Sequence, residues 1–175
     1  MIFYRASIAF ERGGNTPESF QEYVTNLDTL IVGSQDTGIA LAYAVVAAES
    51  LGLGTVPIGA VRFKSLDLTK ELNLPKYVIP LVGLCVGYPE DESNIKPRLP
   101  MKSVYFEEKY DAELSKSGID EYDETYRKYL AERSTNNRDS NWSQSLCKML
   151  PLTKNFTGTN YELLKQQGYI SIDKK

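Results

Sequence analysis

The sequence predicts a fold that mixes helices and strands, of the α/β or α+β class, and three observations carry that expectation. The run Val78 to Tyr88 is apolar and rich in β-branched residues, as a buried strand is. Thr16-Pro17-Glu18-Ser19 has the chemistry of a helix start. The stretch Asp36 to Leu51 is apolar and alanine-rich with a helical period, and Gly52 follows it.

The elements follow in order. Ile2 to Phe10 reads as a strand and Glu11 to Asn15 as a polar turn. Thr16 would cap a helix with Pro17 at its first position, where the missing N–H costs nothing. That helix is expected to run to about Val32, with Gly33 bending or breaking it. Asp36 to Leu51 continues it or starts a second helix, with Asp36 near its start. Ile39, Ala42, Tyr43, Val46 and Ser50 share one face, and Ala40, Ala44, Ala47 and Ala48 surround much of the rest. A helix apolar nearly all round is either central to the domain or buried in a dimer interface.

Thr55 to Ile58 reads as a short strand and Ser65 to Leu72 as a short helix capped by Ser65. Gly87, Tyr88 and Pro89 end the apolar strand, and an acidic turn and an extended arm follow to Pro100. Ile119 to Arg133 is helical, with Tyr122, Tyr126, Tyr129 and Leu130 at helical spacing. A polar loop spans Ser134 to Ser140. Trp142 to Leu150 and Asn160 to Gln167 are two further helices, the last stopped by Gly168.

Composition narrows the chemistry. The chain has 175 residues, a net charge of −3 and no histidine. The length suits a single domain, 1–175, with 1–100 as its core portion and 101–175 as a helical extension. Without histidine there is no Ser-His or Cys-His catalysis and no imidazole-ligated zinc, so no metal site is expected. The acidic balance does not favour nucleic acid. Cys85 and Cys147 read as buried thiols of a cytoplasmic protein. The longest apolar run, Ile39 to Ala48, falls short of the roughly 20 residues that span a bilayer, so no membrane partner is expected.

Two groups of residues could hold a ligand. Lys96 and Arg98 stand on an arm stiffened by Pro97 and Pro100, which fixes two cations in an extended geometry suited to an anion such as a phosphate. The competing reading is a pair of solvated surface charges. Arg133 and Arg138 bracket Ser-Thr-Asn-Asn and could form a second anion site, against the alternative of a plain polar loop. Gly52-Leu53-Gly54 lies after a helix and before a strand, the reverse of a dinucleotide fingerprint, and reads as a helix stop and turn. Gly59-Ala60 follows a strand and could let backbone N–H groups approach a flat ligand; a plain turn reads equally well. Tyr122, Tyr126 and Tyr129 read as packing ahead of a stacking platform. Asp36 and Glu49 could be acid-base groups, though Glu49 reads better as a solvated or hydrogen-bonded helix residue.

Three segments together resemble the nitroreductases, in particular the oxygen-insensitive NADPH nitroreductases and NADPH-flavin oxidoreductases. They are Ala47 to Arg62; Pro80 to Pro89 with Lys96-Pro97-Arg98-Leu99-Pro100; and Tyr122-Asp123-Glu124 with Arg133 to Arg138 and Trp142-Ser143. The resemblance implies an α+β homodimer, a mixed sheet flanked by helices around a central buried helix, with FMN at the subunit interface. It implies that Lys96 and Arg98 bind the FMN phosphate, that Ile58, Gly59 and Ala60 lie along the flavin ring, and that Arg133 and Arg138 meet the 2′-phosphate of NADPH. The implied reaction is ping-pong, from NADPH through FMN to a small-molecule acceptor: a nitro compound, a quinone or free flavin. Catalysis then needs no protein acid or base, since the cofactor carries the chemistry. Three departures stand out: Ala60 where a second glycine is usual, Pro57 where an aromatic is common, and no Arg-Ser-x-Arg motif ahead of Ile2. The chain thus resembles the family without its first segment, and the alternative expectation is a relative that dimerises, holds no flavin and is catalytically silent.

Overall fold

A computed structural model describes residues 2–90, 95–153 and 157–170. The chain forms two compact units, Met1–Glu90 with Asn155–Lys175 and Asp91–Lys154. The acidic turn read after Pro89 falls at 91–94, outside the described residues.

The first unit opens on a helix, α1 (Ile2–Arg12), not on a strand. Phe3, Ala6 and Phe10 recur at helical spacing, and all three pack on a buried cluster of Phe20, Val24 and Tyr77. Helix α2 (Pro17–Val24) starts as expected: the Thr16 hydroxyl accepts from the Ser19 N–H and Pro17 lies in the first turn. It ends earlier than Val32, because Asn26 caps a new helix, α3 (Leu27–Ser50), by accepting from the Thr29 N–H at 2.8 Å. Helix α3 runs through Gly33 without interruption, and Asp36 lies inside it. The glycine at 33 serves close approach: a Cβ there would sit 2.9 Å from the Phe3 ring. The helix stops at Gly52, whose φ of 75° only glycine adopts freely, with Leu53 N–H bonded to the Ala48 carbonyl and Gly52 N–H to that of Glu49.

Strand β1 (Gly54–Ile58) pairs antiparallel with β2 (Gly83–Gly87), placing Gly54 opposite Gly87 and Ile58 opposite Gly83. The class is α+β, and among the described residues its sheet is this one pair. The run Val78 to Tyr88 is therefore not one buried strand. Val78 is buried, but Cys85, Val86 and Tyr88 are exposed, because none of the described elements of the unit covers that end of β2. Cys147 is also exposed, so neither thiol is the buried one expected, and both are free. A 3-10 turn (Gly59–Lys64) follows β1, then helix α3's neighbour in sequence, α4 (Ser65–Glu71). Ser65 does not cap α4. It is the first helical residue, fully buried, and its hydroxyl pairs with Asn160 Oδ1 at 3.1 Å.

Helix α3 is not buried in the protomer. Only Thr29 and Ala48 are buried along it, while Ile39, Tyr43 and Val46 are 58%, 75% and 64% exposed. By length and composition alone this helix of 24 residues could cross a membrane, so the short Ile39–Ala48 run does not by itself set the apolar length.

In the second unit, α5 (Ala112–Glu132) begins well before Ile119, because Asp111 accepts from the N–H groups of Glu113 and Leu114 at 2.9 Å. Tyr122, Tyr126 and Leu130 lie on its buried face, with Leu99, Tyr129 and Trp142 packed against them. Helix α6 (Trp142–Thr153) starts with a reciprocal cap: Gln144 N–H donates to Asn141 Oδ1 and Asn141 N–H to Gln144 Oε1. The last described helix, α7 (Thr157–Gln166), belongs to the first unit and ends at Gly168, φ 83°.

Candidate functional site

The cationic arm lies against the tyrosines of α5. The Tyr122 hydroxyl donates to the Pro97 carbonyl at 2.9 Å, and Lys96 Nζ stands 5.4 Å from the centre of the Tyr126 ring. Arg98 donates to the Lys96 carbonyl at 3.0 Å. Burial raises the Tyr122 pKa, Tyr126 adds to that rise, and the positive charge of Arg98 opposes it. Lys96 and Arg98 are exposed, and among the described residues neither forms an ion pair. Two cations held by proline, a ring and backbone carbonyls, with no carboxylate among the described residues paired to them, are chemically suited to a phosphate.

The loop after α5 is also ordered by α5. Arg138 N–H donates back to the Leu130 carbonyl at 3.1 Å, and Asn136 takes a left-handed φ of 55°. Arg133 stands over the Tyr129 ring at 5.6 Å. Asp123 has a structural role, accepting from the Ser143 N–H at 2.9 Å and so tying α5 to the start of α6. Arg138 faces a cavity of about 260 Å³ shared with Ser140, Ser145, Lys148 and Met149. Arg133 does not line it, so the two arginines that bracket the loop point to different surroundings.

In the first unit, Ile58 ends β1 and Gly59-Ala60 open the 3-10 turn. Ile58 and Gly59 are half-buried and Ala60 is exposed. Sequence reasoning passed over Arg62, whose guanidinium donates to the Leu81 carbonyl at 2.9 Å and would meet a Cβ on Gly59 at 3.3 Å. Its signal was available: Arg62 lies three residues after Gly59, one 3-10 turn on. Lys148 lines the same cavity as Arg138, and in sequence only its helical spacing from Ser145 marks it. Glu49 accepts from the Thr55 hydroxyl at 3.4 Å, the hydrogen-bonded role expected of it.

Comparison with known proteins gives this geometry a lineage. Residues 3–88 match the nitroreductase family model and residues 96–171 the model of the nitroreductase family C-terminal domain. A solved structure, that of the hypothetical oxidoreductase YcnD from Bacillus subtilis, superposes with a TM-score of 0.88 at 40% identity, covering 98% of this chain and 67% of that one. The chain belongs to the nitroreductase family. An FMN reductase [NAD(P)H] of Bacillus subtilis is 44% identical over 170 residues, 95% of this chain. An oxygen-insensitive NADPH nitroreductase of Salmonella typhimurium is 41% identical over 123 residues, 70% of this chain. The chain spans 66% of the length of the first of these relatives and 51% of the second.

Proposed function

We propose that this nitroreductase-family chain binds FMN and serves as an NAD(P)H-dependent nitro or flavin reductase. The observation that carries the reading is the arm Lys96-Pro97-Arg98, whose two cations are positioned by Tyr122 and Tyr126 and lack ion-pair partners among the described residues. Lys96 and Arg98 would take the FMN phosphate. Ile58, Gly59 and Ala60 would lie along the ring, where a glycine and an alanine let backbone N–H groups come close. The loop carrying Arg133 and Arg138 would receive the 2′-phosphate of NADPH. When bound, FMN supplies the two-electron relay from NADPH to a nitro compound, quinone or free flavin. The residues of this chain contribute binding, orientation and positive potential beside a cofactor that becomes more anionic on reduction.

The family resemblance and the exposed flank of α3, with Ile39, Tyr43 and Val46 uncovered, support a homodimer in which a second copy covers that helix. A cytoplasmic location fits an enzyme that draws on NADPH.

The test is FMN uptake by the purified protein. Oxidised-flavin absorbance that bleaches on anaerobic addition of NADPH is the expected result, with affinity for FMN lowered at least about tenfold in Lys96→Ala and Arg98→Ala. A dimer that takes up no added FMN would overturn the reading in favour of a silent relative.

A further inference from the structure

Arg62 stands beside the Gly59-Ala60 turn and has no part in the flavin site as proposed above. Its Nη1 donates to the Leu81 carbonyl at 2.9 Å, across 19 positions of sequence. That bond joins the 3-10 turn Gly59–Lys64 to the stretch just ahead of β2. A second contact joins the same two places: a Cβ at Gly83 would meet Val61 Cγ1 at 3.2 Å, so Val61 lies close over Gly83. Gly83 in turn pairs with Ile58 at the end of β1. The span Ile58 to Arg62 is thus tied at one end by sheet pairing and at the other by the guanidinium. The guanidinium also fills space that a side chain would take. A Cβ at Gly59 would lie 3.3 Å from Arg62 Nη2 and 3.4 Å from Nη1. Arg62 closes that flank of Gly59 only because residue 59 has no side chain. Arg62 is exposed, and among the described residues it forms no ion pair.

We propose that Arg62 is a positioning residue for FMN, bracing the Gly59-Ala60 turn from Leu81 and keeping an uncancelled positive charge beside the flavin ring. This deepens the flavin reading above and rests on it. Every residue in the arrangement belongs to the first unit. The brace matters because backbone N–H donors serve a ligand best when they are held in place before it arrives. The charge matters because reduced flavin is more anionic than oxidised flavin, so a nearby cation favours the reduced form. A bond to a carbonyl orients the guanidinium without neutralising it, as a carboxylate partner would.

The test is the FMN affinity of the protein and the midpoint potential of its bound flavin, the latter by anaerobic dye-equilibrium titration. A nearby unit charge at a protein surface is worth about tenfold between the two oxidation states. Arg62→Met should therefore cut the preference for reduced over oxidised FMN about tenfold, a fall of about 30 mV for a two-electron couple. With the brace gone, the same variant should bind oxidised FMN about tenfold more weakly in a fluorescence titration. Arg62→Lys keeps the charge but not the planar fork, and should hold the preference within about twofold while recovering only part of the affinity. Arg62→Gln keeps a donor but not the charge, and should show the full fall in potential. Gly59→Ala sets a methyl against the guanidinium, so it should cost less FMN affinity in Arg62→Met than in the parent. Unchanged potential or unchanged affinity in Arg62→Met overturns the proposal. So does a parental potential in Arg62→Gln, an equal fall in potential in Arg62→Lys and Arg62→Met, or an equal cost of Gly59→Ala in both backgrounds. FMN uptake accompanied by any of these results leaves the flavin reading standing, whereas a parent that takes up no FMN overturns both.

Discussion

Gly118 is the point where α5 meets the 3-10 turn Met101–Ser103, which directly follows the arm of Lys96 and Arg98. A Cβ at Gly118 would fall on the Ser103 hydroxyl, 2.6 Å from Ser103 Cβ and 3.6 Å from Pro100 Cγ. The Gly118→Ala variant therefore sets two effects against each other. Alanine in a helix interior gains about 1 kcal/mol over glycine. The clash costs about 1–3 kcal/mol as overpacking, and the upper end applies because carbon atoms at 2.6 Å must part by roughly 1 Å to reach contact distance. A hydroxyl can rotate away, but Ser103 Cβ is fixed to a turn closed by the Ser103 N–H bond to the Pro100 carbonyl at 2.9 Å. Displacing that turn also strains the bond from the Ser103 hydroxyl to the Leu114 carbonyl. The net expectation is destabilisation by about 1–2 kcal/mol, a fall in Tm of about 3–6 °C by differential scanning calorimetry. Ser103→Gly in the same chain should recover most of the loss, with a coupling energy of about 1 kcal/mol or more, whereas Ser103→Ala, which keeps the offending Cβ, should not. A Gly118→Ala protein as stable as the parent, or equal rescue by Ser103→Ala, would refute the steric argument.

Other expectations follow from single contacts. Leu130 is fully buried in the second unit, and Leu130→Ala should cost about 2–5 kcal/mol in a urea titration. Tyr122→Phe removes the donor to the Pro97 carbonyl; it should cost about 1 kcal/mol and weaken FMN binding several-fold in a fluorescence titration, and unchanged affinity would mean the arm is held by its prolines alone. The Tyr169 hydroxyl donates to the Tyr77 carbonyl at 3.0 Å, and burial pushes its pKa up from 10.0 to about 12. The folded state then holds this proton more tightly than the unfolded chain does. Its contribution is complete below pH 10.0 and is lost as pH rises toward about 12, so Tyr169→Phe should flatten the alkaline fall in stability over that window.

What was legible in the sequence was what short-range chemistry decides. Thr16-Pro17, Gly52 and Gly168 act through bonds to residues within a few positions, and each helix boundary they mark is where the sequence puts it. Asn26 acts in the same way but was passed over, and the helix end assigned near Val32 moved with it. Composition misled where period should have decided. Ile2 to Phe10 is rich in residues that favour strands, yet Phe3, Ala6 and Phe10 meet their neighbours only if the segment is helical. Burial was misjudged for another reason. An apolar run shows that burial would be favourable, not that a covering layer lies within the same protomer; among the described residues much of β2 and α3 is exposed. Gly33 and Gly118 look alike in sequence as helix-weakening residues; each is explained by the side chain that approaches it, a non-local fact.

The choice between packing and stacking for the tyrosines of α5 dissolves in the structure. Tyr122 and Tyr126 are buried, with Tyr129 packed beside them, and the same residues hold the arm and two basic groups: the Pro97 carbonyl through the Tyr122 hydroxyl, Lys96 on the Tyr126 face, Arg133 on the Tyr129 face. This manner of holding a cation matters for what the cation can do. A carboxylate partner would fix Lys96 or Arg133 more firmly but cancel its charge, and an incoming phosphate would have to displace it. An aromatic face orients the cation for about 0.5–1 kcal/mol at an exposed site and leaves its field intact. A dianion at hydrogen-bond distance offers more than that, so the ring yields the cation to the ligand at small cost. Basic residues placed on a buried tyrosine ladder would thus be free to meet an anion while the core beneath them stays closed.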